Sequence, residues 1–190
     1  MDDIYIKFRK AENIRPLTLP HREKLYRDMQ NIEYSFSGRI GDGNIINTFI
    51  MEAAQLLINA IELFESGYFD CAYYSLRSSI DISTTMVYLT DMPDDEGVRR
   101  LEDWKDTKDF PMQSAIVKEL SKSGMVFSEM KAEMTDFFES AKVLSQKLNK
   151  YVHKQGFQHF YVSRNHPLNQ NKSQDGFISE FEKYLKECIG

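Results

Sequence analysis

Apolar residues recur every three or four positions along most of this chain, a spacing that predicts α-helices. The clearest pattern is a pair of helices on either side of Gly67. The first helix has an apolar face made of Ile45, Ile46, Phe49, Ile50, Ala53, Ala54, Leu57, Ile61 and Phe64. The second has an apolar face made of Tyr73, Leu76, Ile80, Thr84 and Val87. Gly67 lies where a left-handed C-terminal cap belongs, so we expect the two helices to pack as an antiparallel hairpin.

Further helices are predicted on both sides of this hairpin. Leu19-Pro20 indicates a helix start that leads to about Tyr34. A stripe from Met130 to Val152 predicts one helix of roughly 40 Å between Ser128 and about Lys154. A last amphipathic helix covers residues 177–188.

Other segments carry weaker signals. Ile4, Ile6 and Phe8 alternate with polar residues, as in a short strand or an extended arm, and residues 37–43 predict a flexible turn. Residues 91–109 are rich in acids and predict a solvated loop around one short helix near Trp104.

These elements predict an all-α fold, an up-down bundle of four core helices with helical additions at both ends. We expect residues 1–43 to form an N-terminal arm and a helix packed on the core. Residues 44–156 then form the bundle, and residues 157–190 form a loop and the C-terminal helix. A chain of 190 residues can bury a sizeable core without a disulfide or a metal.

Composition and charge bear on the expected cellular compartment and on the classes of binding partner. The net charge is -5, so the chain as a whole has no basic footprint for nucleic acid. Two cysteines, and a start without an apolar signal-type segment, fit a reducing compartment, and we expect a cytoplasmic protein. Charges interrupt the apolar stretches near Ile58 and Phe137, so we expect no membrane segment.

One part of the chain departs from this acidic average. No Asp or Glu occurs between Ser140 and Gln174. The cations of this acid-free window are Lys142, Lys147, Lys150, Lys154, Arg164 and Lys172, joined by His153, His159 and His166. Cations near a helix C-terminus favour the helix dipole, which is the simplest explanation. The alternative is a phosphate-binding surface, for which Lys147, Lys150 and Lys154 are the candidates.

Two polar pairs border the predicted core. Asn149 and His153 are one turn apart beside the apolar stripe, so we expect His153 to be half-buried and able to transfer protons near neutral pH. Arg77 and Asp81 have the same spacing and form a candidate structural pair. If that pair is partly buried it needs further partners, and Asn149 and His153 are the candidates. The histidines lack zinc-site spacing, and we expect no metal and no cofactor.

Two stretches resemble HEPN domains, the helical domains named for higher eukaryotes and prokaryotes nucleotide-binding proteins. The sequence FESGYFDCAYYSLR at residues 64–77 looks like their first helix hairpin, and KLNKYVH at residues 147–153 looks like their final core helix. The likeness covers roughly residues 45–156. It implies a four-helix up-down bundle, often dimeric, in host-defence or toxin–antitoxin settings. Many members are metal-independent endoribonucleases.

The resemblance also implies roles for particular residues. The family motif is an Arg, then a few residues of which the first is often polar, such as Asn, and then a His. Asn149 and His153 match the polar residue and the His, whereas Leu148 stands where the Arg is expected. In an active enzyme, His153 would transfer a proton, and Arg77, Lys147 or Lys150 would stabilise phosphate charge. The first hypothesis is therefore an RNA- or nucleotide-linked protein and homodimer, with the missing Arg arguing against catalysis.

Two alternatives remain open at this stage. One is a non-catalytic module of the same architecture that binds or scaffolds a protein partner. The other is a bundle that binds a small ligand in a pocket lined by Tyr73, Tyr74, Phe137 and Phe138.

Overall fold

The computed structural model describes residues 16–34, 43–108, 110–123, 126–160 and 174–190. These residues form α1 (Arg22–Tyr34), α2 (Gly43–Glu65), α3 (Phe69–Thr90), α4 (Asp94–Lys105), α5 (Gln113–Ser123), α6 (Phe127–Glu133), α7 (Thr135–Val152) and α8 (Gln174–Ile189), with a short 3-10 helix at Phe157–His159. No strand occurs among the described residues, so the all-α prediction is confirmed for them. The predicted strand or arm at residues 4–8 lies outside them, as does the turn at residues 37–43 except for Gly43.

The α2–α3 hairpin forms as the sequence predicts. Gly67 has a φ of 86°, the left-handed conformation that glycine adopts without steric cost. Its N–H donates to the carbonyl of Phe64 at 3.0 Å, and the N–H of Tyr68 donates to the carbonyl of Leu63 at 2.8 Å. These two bonds are the Schellman motif, which satisfies the last carbonyls of α2 and turns the chain into α3.

Two apolar clusters lie at opposite ends of this hairpin. The larger cluster joins α1, α2, α3, α7 and α8, and its largest fully buried members include Tyr73, Phe64, Phe69, Phe181, Leu144 and Leu148. The rings of Phe64 and Phe181 stack there with centroids 3.8 Å apart. The smaller cluster joins the start of α2 and the end of α3 to α5, through Phe49, Tyr88, Leu89, Ile116 and Leu120. Helices from both ends of the chain therefore share the larger core.

The acidic segment holds more structure than the sequence predicts. A 12-residue helix, α4, occupies most of it. Arg100 pairs with Glu96 at 2.9 Å and lies over the Tyr88 ring at 4.0 Å, while the Trp104 ring contacts that of Phe49 at 5.2 Å. The predicted short helix near Trp104 is therefore present, but it extends back to Asp94 and replaces much of the expected loop. Cationic and aromatic side chains anchor it on the smaller cluster, which the acidic composition does not reveal.

The long helix predicted from Ser128 to Lys154 is divided in two. Met134 has φ -108° and ψ 44°, outside the helical region, so α6 ends at Glu133 and α7 begins at Thr135, on either side of it. The prediction of one unbroken helix was therefore wrong, although the apolar spacing continues across the break.

Within the part of the chain that the structure describes, one helix has the length and composition of a membrane span, namely Ile45–Glu65. Core helices of water-soluble proteins meet the same criterion, and Leu57, Ala60, Ile61 and Phe64 of this helix lie in the larger cluster. The expectation that the chain has no membrane segment stays a prediction.

Candidate functional site

A polar network lies where α3, α5 and α7 meet, with Arg77 at its centre. The Nε of Arg77 donates to Asn149 Oδ1 at 2.6 Å, and Nη2 donates to Gln113 Oε1 at 2.8 Å. Nη1 forms an ion pair with Asp81. We call these four residues the Arg77 network.

The network holds Arg77 in place. Only 13% of its side chain is exposed, whereas 46% of the Asp81 side chain is. Gln113 is itself held by Ser145, whose hydroxyl donates to Oε1 at 3.1 Å. A guanidinium engaged on three sides by protein groups has little capacity left for a phosphate, so the geometry fits a helix-linking role.

Part of the arrangement expected from the sequence is present. The Arg77–Asp81 pair forms, and Asn149 is one of its partners as expected. Gln113 and Ser145 were missed, because no local pattern marks an uncharged residue at the start of α5 or on the side of α7. Their role appears only when the three helices pack together.

His153 lies outside this network. It is the C-cap of α7, where its N–H donates to the carbonyl of Asn149 at 2.8 Å. Its side chain is exposed, so the expectation of a half-buried ring was wrong. Within the described part of the chain the ring has no hydrogen bond or ion pair, and none joins it to Arg77. One further turn along the helix is enough to carry it past the core into solvent.

The three candidate phosphate-binding lysines have different surroundings. Lys154 pairs with Asp70, and its ammonium lies 5.6 Å from the centre of the Tyr74 ring. Lys147 lies 5.5 Å from the centre of the Tyr184 ring. Lys150 is exposed and forms no ion pair with another described residue. Lys150 is therefore the most available of the three to an external anion.

Leu148 decides how the family motif can be interpreted in this chain. It occupies the position at which the resemblance to HEPN domains expects an Arg. Here the side chain is 0% exposed and belongs to the larger apolar cluster. A guanidinium could not replace it without burying a charge among apolar side chains. In this fold the position is part of the core and not of a reaction centre.

Exposed aromatic side chains follow the end of α7. Phe157 is 79% exposed and Phe160 is 39% exposed, with ring centroids 5.4 Å apart. Together with Lys150 and His153 they form what we call the α7 end. The sequence could have indicated this surface, because both phenylalanines lie inside the acid-free window. Arg164, His166 and Lys172 of that window lie outside the described residues.

Other chemistry has less support. Within the described ranges no three His, Cys, Asp or Glu residues are grouped to hold a metal ion. Tyr73 and Phe137, two of the four residues suggested to line a small-ligand pocket, have different surroundings. Tyr73 is fully buried and stacks on Tyr151 at 4.0 Å, whereas the Phe137 ring contacts Phe138.

An open groove of about 490 Å³ lies between α1 and α2. Its lining includes Glu23, Arg27 and the ring of Tyr26, whose hydroxyl donates to Glu62 at 2.5 Å. Burial, followed by this bond to Glu62, raises the pKa of Tyr26 above its ordinary value, so the phenol stays protonated at neutral pH.

Comparison with known proteins identifies no relative: no protein-family model, no curated protein and no solved structure matches this chain. The residues themselves must therefore carry any functional argument.

Proposed function

We propose that this protein is a HEPN-like helical module that binds RNA or a nucleotide phosphate at the α7 end and does not cleave it. The observation that carries the proposal is the combination of Lys150, His153 and Phe157, all exposed, within a window of sequence that contains no acid. Cations attract the phosphate backbone, and an exposed aromatic ring offers a face on which a base stacks.

Three placements support the proposal that the module does not cleave RNA. Leu148 fills the position where the family's Arg is expected, and it is buried in the core. Arg77 is engaged by Asp81, Asn149 and Gln113. Among the described residues, His153 therefore has no neighbouring cation that is both held in position and available to stabilise a pentavalent phosphate. A defence or toxin–antitoxin setting belongs to the proposal only through the family resemblance.

The test is fluorescence anisotropy with a labelled single-stranded RNA of mixed sequence, in chelator, at two salt concentrations. We expect binding that weakens as salt rises, because cations displaced from the RNA backbone drive association. Phe157→Ser should weaken binding by about fivefold or more, since stacking of one base contributes about 1–3 kcal/mol. Lys150→Gln should weaken it and also reduce its salt dependence.

Lys118 on α5 supplies the matched control, because it is exposed and forms no ion pair within the described residues. Lys118→Gln should bind RNA like the wild type. Equal weakening by Lys118→Gln and Lys150→Gln would mean that contact is diffuse and that the α7 end is no site. The same samples are then run on a denaturing gel, and cleavage that His153→Ala abolishes would refute the non-catalytic part of the proposal.

A further inference from the structure

The apolar stripe shared by α6 and α7 is buried at one end and exposed at the other. Leu144 and Leu148 are 1% and 0% exposed, whereas Met130, Met134 and Phe137 are 45%, 44% and 43% exposed. All five recur at helical spacing, so the sequence predicts one continuous core-facing stripe. The structure covers only its C-terminal half, and the stripe from Met130 to Phe137 faces solvent.

Acidic side chains flank this exposed half. Glu129, Glu133 and Asp136 are all exposed, and none of them forms an ion pair with another described residue. Two lysines of the same helices bond to other groups: Lys131 donates to the Ser121 hydroxyl at 2.8 Å, and Lys142 pairs with Glu139 at 3.1 Å. We call this surface the acidic apolar face, made of Glu129, Met130, Glu133, Met134, Asp136 and Phe137.

The local backbone and side chains suit a contact surface. Methionine is unbranched and adapts its shape to whatever packs on it. The break at Met134 divides the face between two helical segments, each of which carries part of it. Exposed apolar patches with polar rims are typical of protein-binding surfaces.

We propose that the acidic apolar face binds a basic amphipathic helical segment of another protein. Such a segment would place its apolar side chains between the two methionines and Phe137. Its Lys or Arg residues would pair with Glu129, Glu133 and Asp136, which complements the charge of the rim.

Charge also selects against the other occupants of an apolar face. In a symmetric contact between two copies the same patch meets itself, so the acidic rims would face each other and repel. An anionic lipid surface would be repelled for the same reason. This inference does not rest on RNA binding, because the acidic apolar face and the α7 end share no residue.

The test uses the full chain and a labelled amphipathic peptide of Leu and Lys, about 18 residues or five helical turns long. Two comparison peptides carry Glu in place of Lys, or the same Leu and Lys composition in scrambled order. We expect only the amphipathic Leu/Lys peptide to bind tightly by anisotropy. Phe137→Ser and Asp136→Lys should each weaken it about tenfold or more, because each removes one of the two attractions.

Matched controls lie on α4. Val98 is 57% exposed and Glu102 is exposed, and neither belongs to the acidic apolar face. Val98→Ser and Glu102→Lys should leave peptide binding unchanged, and Phe137→Ser should keep its RNA affinity and melting temperature. Equal weakening by the controls, equal binding of the scrambled or Glu peptide, or no binding at all would overturn the proposal. So would a dimer that Phe137→Ser dissociates, or binding of the wild type to anionic vesicles at this face.

Discussion

Replacement of Arg77 by Ala should destabilise the protein strongly, because Arg77 joins three helices. The substitution removes the bonds of 2.6 Å and 2.8 Å to Asn149 and Gln113, together with the ion pair to Asp81. A hydrogen bond to a charged group contributes about 1.5–3 kcal/mol, so the two bonds together give a loss of about 3 kcal/mol or more. The ion pair to the half-exposed Asp81 adds only about 0–1 kcal/mol.

Thermal unfolding measured by circular dichroism gives the readout. For a domain of this size, 1 kcal/mol shifts the melting temperature by about 2–4 °C, so Arg77→Ala should lower it by about 6–12 °C. Asp81→Ala should lower it by no more than about 4 °C, because 46% of its side chain is exposed. Arg77→Lys should lower the melting temperature almost as much as Arg77→Ala does, because an ammonium group lacks the planar fork of donors that reaches both amides.

A double-mutant cycle that combines Arg77→Ala with Asn149→Ala measures how much of the lost stability comes from the bond between these two residues. We expect the coupling between Arg77 and Asn149 to exceed that between Arg77 and Asp81, because the first pair is held at a helix junction. Equal effects of Arg77→Ala and Asp81→Ala would refute the reasoning. Loss of RNA affinity in Arg77→Ala without a change in melting temperature would also refute it, and would make Arg77 a ligand-binding residue.

Three more predictions concern the backbone and the cysteines. Thr107 follows α4 with a φ of 53°, as the left-handed residue of a Schellman cap. This conformation costs a β-branched residue about 1–2 kcal/mol, so Thr107→Gly should raise the melting temperature by a few degrees. A lower melting temperature would contradict this cap geometry. Burial raises the pKa of Cys188 to about 12, so at pH 8 a thiol reagent should label the exposed Cys71 and spare Cys188 in the folded protein. The folded state holds the Cys188 proton more tightly than the unfolded chain, so the free energy of unfolding should be unaffected by titration of this thiol below about pH 9 and should fall between pH 9 and 12. Melting temperatures measured across that pH range should decline less steeply in Cys188→Ala than in the wild type. Identical slopes would contradict the prediction.

The candidate site was only partly predictable. Residues one helical turn apart, such as Arg77 with Asp81, can be paired from the sequence because the helix itself fixes their distance. Asn149 could be named as a further partner only because two helices were expected to pack together. Gln113 lies 36 positions from Arg77, and nothing in its neighbourhood marks it as a partner. The exposure of His153 likewise depends on where the core ends along α7.

The sequence by itself determined most of the helices, because helical periodicity and a capping glycine such as Gly67 act over a few residues. It did not determine the break at Met134 or the full extent of α4. Only the tertiary structure decided which part of each apolar stripe is covered. Leu148 and Phe137 belong to the same stripe, but one is 0% and the other 43% exposed. The physical reason is that burial depends on the neighbours a helix meets in space, and α7 extends beyond the helices that cover its C-terminal half.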